Sequence, residues 1–99
     1  MENKETMATE EKLQNVLNQI KSIIIDELGC TEEEISLDAK WNDDLMADSL
    51  DMAYIMQYVE ELFGIYIEDD GMWKPTCTLR ETCGSVARYL PEDGSEAQS

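Results

Sequence analysis

Histidine is absent, and basic residues are scarce. Seven Lys and Arg stand against 23 Asp and Glu, for a formal net charge of -16 over 99 residues. Without an imidazole there is no Ser-His-Asp triad, no Cys-His pair and no His metal ligand. So anionic a surface repels phosphates, so neither nucleic acid nor anionic lipid is expected as a direct partner. Cysteine is limited to Cys30, Cys77 and Cys83, an odd number with no Cys-x-x-Cys spacing. A disulfide framework is therefore not expected, which favours a reducing compartment and a cytoplasmic location. The longest apolar run, Ile23-Ile24-Ile25, is far too short to span a membrane. The opening Met1-Glu2-Asn3-Lys4-Glu5 lacks the apolar core of a signal peptide.

What is present is a periodic apolar pattern. Hydrophobic residues make up 42% of the chain, enough for one small core, and the length suits one domain. Residues 1–8 and 92–99 are polar and aperiodic and read as flexible tails, leaving residues 9–91 as the folded domain. Leu13, Val16, Leu17, Ile20, Ile23, Ile24 and Leu28 recur at three- and four-residue steps, predicting a helix over 10–28. Thr9 is its expected cap and Gly29 its stop. A second helix is predicted over 49–63, with Met52, Ile55, Met56, Val59 and Phe63 on one face. Leu50, Tyr54, Gln57 and Glu61 fall on the opposite face. A third is predicted over 78–90 on the stripe Leu79, Cys83, Val86, Ala87 and Leu90. Between the first two lies a long connection, residues 30–47, in which Thr31-Glu32-Glu33-Glu34 fits a capping box and a short turn. Another short helical turn fits between Gly71 and Thr76. The fold class is all-α.

Charge is unevenly spread. From Trp41 to Trp73 there is no Lys or Arg, but there are nine acids: Asp43, Asp44, Asp48, Asp51, Glu60, Glu61, Glu68, Asp69 and Asp70. Such a run is usually a solvated face. Here apolar Leu50 and Tyr54 fall among the acids, a pattern suited to docking on basic surfaces. The spacing of these acids fits no EF-hand loop, and no metal site is expected. Ser49 opens the second helix behind Asp48, with Asp51 three residues on as in a capping box. By spacing alone Ser49 reads as an ordinary helix-start serine. The same position also offers free backbone N–H groups and the positive dipole end to an anion such as a phosphodiester.

At these residues the chain resembles an acyl carrier protein. The resemblance rests on Asp48-Ser49-Leu50-Asp51 preceded by Asp43-Asp44-Leu45, and on Leu28-Gly29 ending the first helix. It also takes in Thr31-Glu32-Glu33-Glu34-Ile35, Glu60-Glu61-Leu62-Phe63, Thr78-Leu79 and Tyr89-Leu90, and covers roughly Glu10 to Leu90. It implies a four-helix acyl-carrier-like bundle with a long loop between the first and second helices. It implies that Ser49 is esterified by 4′-phosphopantetheine, which a phosphopantetheinyl transferase takes from coenzyme A with magnesium. The arm's thiol then holds acyl intermediates as thioesters, in fatty acid or related lipid or polyketide biosynthesis. The carrier itself is non-catalytic and is expected to be a monomer. Its partners are acyl-chain synthesis or transfer enzymes with basic docking surfaces, met through Asp48, Leu50, Asp51, Tyr54, Glu60 and Glu61. Met46, Met52 and Met56 are expected as adaptable walls of a site for the chain.

Three departures stand out. Met46 occupies a position where the family usually has Gly, and Tyr54 one where the fatty-acid type usually has Glu. The stretch Gly71-Met72-Trp73-Lys74-Pro75 makes the chain a few residues longer before its last helix. The alternative reading is an acidic helical adaptor or regulatory docking module in which Ser49 stays unmodified.

Overall fold

A computed structural model describes residues 10–90, so the expected cap Thr9 and both expected tails lie outside the described residues. Among the described residues there are three α-helices, α1 (Glu10–Leu28), α2 (Ser49–Phe63) and α3 (Leu79–Ala87), and one 3-10 turn, Glu32–Glu34. The all-α expectation holds. The fourth helix does not form: residues 71–76 are a string of turns and bends. Gly71 has φ 87, a left-handed conformation that interrupts any helical run there.

The helix starts follow from local chemistry. At α2, Asp48 is extended and its Oδ1 accepts from the Asp51 N–H at 2.9 Å. The Asp51 carboxylate accepts in return from the Asp48 N–H at 3.2 Å. Thr78 and Glu81 form the same reciprocal box at α3. At the other end of α2, Gly64 has φ 68 and donates to the Glu60 carbonyl, the usual left-handed stop. The third helix ends at Ala87, three residues short of the expected Leu90. Its last turn tightens into 3-residue steps, with Tyr89 N–H donating to Val86 O and Leu90 N–H to Ala87 O. Pro91 disfavours helical backbone at Leu90.

The core gathers one stripe from each helix. Val16, Leu17, Ile20 and Ile24 of α1 meet Ile55 and Val59 of α2 and Leu79, Cys83 and Val86 of α3, all fully buried. Desolvation pushes the Cys83 thiol up to about 12, so it is inert as a nucleophile at neutral pH. Both α2 and α3 pack against α1, while α2 and α3 share no comparable interface. The gap between them is filled by chain outside the helices: Trp41, Leu45 and Ala47 from the first connection, Ile67, Trp73 and Cys77 from the second.

That first connection is firmly tied. Leu37 O and Ala39 O accept from Arg80 N–H and Leu79 N–H, two donors of the first turn of α3 that no helical carbonyl can reach. Lys40 and Thr78 form an antiparallel bridge, and Asn42 N–H donates to Pro75 O. The Trp41 indole Nε1–H donates to Thr82 Oγ1 at 2.8 Å, and that hydroxyl donates to Met72 O at 2.6 Å. One buried relay thus joins the first connection, α3 and the second connection. Thr82 and Ser85 are buried polar residues on the inward face of α3 that a purely apolar stripe does not reveal. Outside, Arg80 pairs with Glu10 of α1 and with Asp38.

Candidate functional site

Ser49 is the first residue of α2 and is exposed. The capping box occupies the Asp51 N–H, and Met52 N–H donates to Asp48 O. The N–H groups of Ser49 and Leu50 have no partner among the described residues. A hydroxyl at the helix mouth therefore lies beside two open donors at the positive end of the dipole. That arrangement stabilises an anion carried on the hydroxyl oxygen.

The turn that presents Ser49 is strained. Met46 has φ 64, the left-handed region, and its side chain is 80% exposed. The expectation that Met46 lines a wall is therefore corrected: the turn's handedness throws its side chain outward. A residue with a Cβ costs about 1–2 kcal/mol there, which is the physical reason glycine suits the position. The turn is held by its surroundings instead: Met46 N–H donates to Asn42 O and Ala47 N–H to Trp41 O, while Leu45 and Ala47 are buried on either side.

The other expected site residues divide. Asp48, Leu50, Tyr54 and Glu61 are exposed along the outward side of α2. Asp51 is half-buried and serves the cap. Glu60 does not join them: it is half-buried, and its Oε2 accepts from the Ile67 N–H at 2.8 Å, fastening the turn after α2. The outward side also carries Tyr58 and Leu62, with Tyr66 just beyond. Leu50, Tyr54, Tyr58 and Leu62 are spaced by four, which aligns them as one oblique apolar row. The sequence signal for Tyr58 and Leu62 was that same spacing, continued from Leu50 and Tyr54.

On the inward-leaning side of α2, a pocket of about 330 Å³ opens between the helix and the second connection. Ser49, Met52, Ala53 and Met56 line one wall, and Asp69, Trp73, Lys74 and Pro75 the other. Met52 and Met56 both lie on the pocket's α2 wall. Trp73 is 6% exposed, and its indole Nε1–H has no acceptor among the described residues. Among the described residues no cluster of carboxylates or cysteines is arranged to hold a metal ion, and no helix is long and apolar enough to cross a membrane.

Comparison with known proteins bears on this site. A family model described as "Phosphopantetheine attachment site" matches residues 18–90. The chain is 45% identical over 56 residues to the acyl carrier protein of Solidesulfovibrio magneticus, covering 57% of this chain and 72% of that one. It is 42% identical over 60 residues to the acyl carrier protein of Nitratidesulfovibrio vulgaris, covering 61% of this chain and 79% of that one. No solved structure matches the chain.

Proposed function

The chain belongs to the acyl carrier protein family, whose prosthetic group is a covalent 4′-phosphopantetheine, and from that premise we propose that Ser49 is the attachment residue and that the protein carries acyl intermediates between enzymes. The observation that carries this reading is the exposed Ser49 hydroxyl beside the unpaired N–H groups of Ser49 and Leu50. The surroundings suit the group: the open N–H groups of Ser49 and Leu50 would favour a phosphodiester on the hydroxyl, and a pocket lined by Met52, Met56 and Trp73 begins at Ser49. When bound, the group supplies a thiol that holds the acyl chain as a thioester.

This chain's own residues attach, present and recognise. Ser49 Oγ bonds to the phosphorus of coenzyme A that bears the pantetheine. The P–O bond to the adenosine nucleotide breaks, the nucleotide leaves with that electron pair, and the hydroxyl proton passes to a base of the transferase. No base in the carrier is needed, which agrees with a chain that has no histidine. Leu50 and Tyr54 give an apolar contact rimmed by Asp48 and Glu61, matched to basic docking surfaces on a transferase and on enzymes of fatty acid, related lipid or polyketide synthesis. The long-range field of a strongly anionic monomer speeds encounter without demanding tight contact. Cytoplasmic residence fits such partners.

Incubation with a broad-specificity phosphopantetheinyl transferase, coenzyme A and magnesium tests the assignment by intact mass. The wild type gains one phosphopantetheine and Ser49→Ala gains none. An unchanged wild-type mass, under conditions that modify a control carrier, overturns the reading in favour of an unmodified adaptor.

A further inference from the structure

Among the described residues Met46 is alone, glycines aside, in having a left-handed backbone. The reason lies in how the turn before Ser49 ends. Ala47 N–H donates to Trp41 O, six residues back, at 2.8 Å, and inside that bond Met46 N–H donates to Asn42 O at 3.0 Å. This nested pair is the stop that closes many helices, and its left-handed position is normally glycine. The chain places glycine at the left-handed positions that end α1 and α2, where Gly29 and Gly64 have φ 73 and 68. It departs from that rule at the stop leading into Ser49. The fold gains nothing from the exception. Met46 is 80% exposed, the most exposed of the large apolar side chains described, and the backbone bonds that close the turn are ones glycine makes equally well. Backbone strain of this kind gathers at functional sites. Leu50, also exposed, stands one residue beyond Ser49. Two exposed apolar side chains thus bracket the serine in sequence. Asp43, Asp44 and Asp48 are exposed in the same stretch, and there is no Lys or Arg from 41 to 73.

We propose that Met46 is a recognition residue, held outward by the left-handed turn so that its side chain enters an apolar recess, rimmed by basic groups, on the transferase that acts at Ser49. The proposal rests on Ser49 being the attachment residue. An unbranched thioether suits the task, because it adapts to the shape of the recess it enters. The acids on both sides of Met46 call for the basic rim: opposite charge steers the encounter, and a like-charged rim is rejected. The locked turn fixes where the side chain leaves the backbone, so less freedom is lost on contact.

Methyl NMR of the unmodified protein, labelled with carbon-13 in its methionine methyl groups, reads the contact directly. Unlabelled broad-specificity phosphopantetheinyl transferase is added and coenzyme A is left out. The Met46 signal, assigned by its loss in Met46→Leu, shifts and broadens, while that of buried Met52 stays in place. A Met46 signal unmoved at saturating enzyme overturns the proposal. Loading kinetics give a second test. Asn tolerates a left-handed backbone, so Met46→Asn keeps the turn and removes the apolar side chain. It raises the carrier's KM about tenfold with kcat unchanged, and Met46→Leu recovers most of that loss. Met46→Gly relieves the strain and deletes the contact together, so it raises Tm by about 4–8 °C while raising KM as Met46→Asn does. An unchanged KM in either variant, or a lower Tm in Met46→Gly, overturns the proposal. So does a fall in kcat at constant KM, which would make the turn a positioner of Ser49. If the wild-type mass never rises under conditions that load a control carrier, the attachment reading fails and this inference fails with it. If the mass rises and the Met46 signal stays still, the inference alone fails.

Discussion

Two tryptophans, Trp41 and Trp73, sit on the two connections that fill the space between α2 and α3, and they meet opposite fates. Trp41 is fully buried and its indole N–H enters a relay through Thr82 to Met72 O. Trp73 is nearly as buried, yet its N–H finds no acceptor among the described residues. Around Trp41 the chain is stitched by backbone bonds to Cys77, Pro75, Leu79 and Arg80. Around Trp73 the backbone runs in turns beside an open pocket, tied to its neighbours through Met72 O and Pro75 O. The same side chain closes one half of the molecule and leaves the other half with unmet hydrogen-bonding capacity, on the side where Ser49 lies.

Substitutions can break that contrast. Trp41→Ala should be the most damaging, costing about 3–5 kcal/mol in urea unfolding, because it empties the centre of the inter-helix filling. A loss under 1 kcal/mol would mean the relay region is not the firm half. Thr82→Val keeps the shape but strands both the Trp41 N–H and Met72 O, and should cost about 1–3 kcal/mol. The subtlest comparison is Trp41→Phe against Trp73→Phe. Both remove the same atoms, so the difference between them isolates one hydrogen bond. Trp41→Phe should be the costlier by about 1 kcal/mol, and equal losses would show that the Trp73 N–H is satisfied after all.

Much of the site was legible because its determinants are local. Asp48 and Asp51 cap each other across three residues, so the start of α2, and with it the presentation of Ser49, could be read from the chain. The α1 stripe and its Gly29 stop were legible for the same reason. Illegible features depend on contacts distant in sequence. The pocket joins Met52 to Trp73, which no periodicity links. Glu60 reads as one more acid in a charged run until the turn brings the Ile67 N–H onto it. Met46 adopts a left-handed backbone because Trp41, Leu45 and Ala47 lock the turn around it, against its own preference. The 71–76 stretch resists a helix because Gly71 turns left-handed and Thr82 captures Met72 O from outside.

The asymmetry of helix packing has a mechanical corollary. Because α1 braces α2 and α3 separately, and those two scarcely touch, a widening of the seam beside Ser49 strains loops and leaves both main helix interfaces whole. The molecule is built like a book held by its spine: one edge can be thumbed open while the binding, formed by Val16, Leu17, Ile20 and Ile24, keeps its grip.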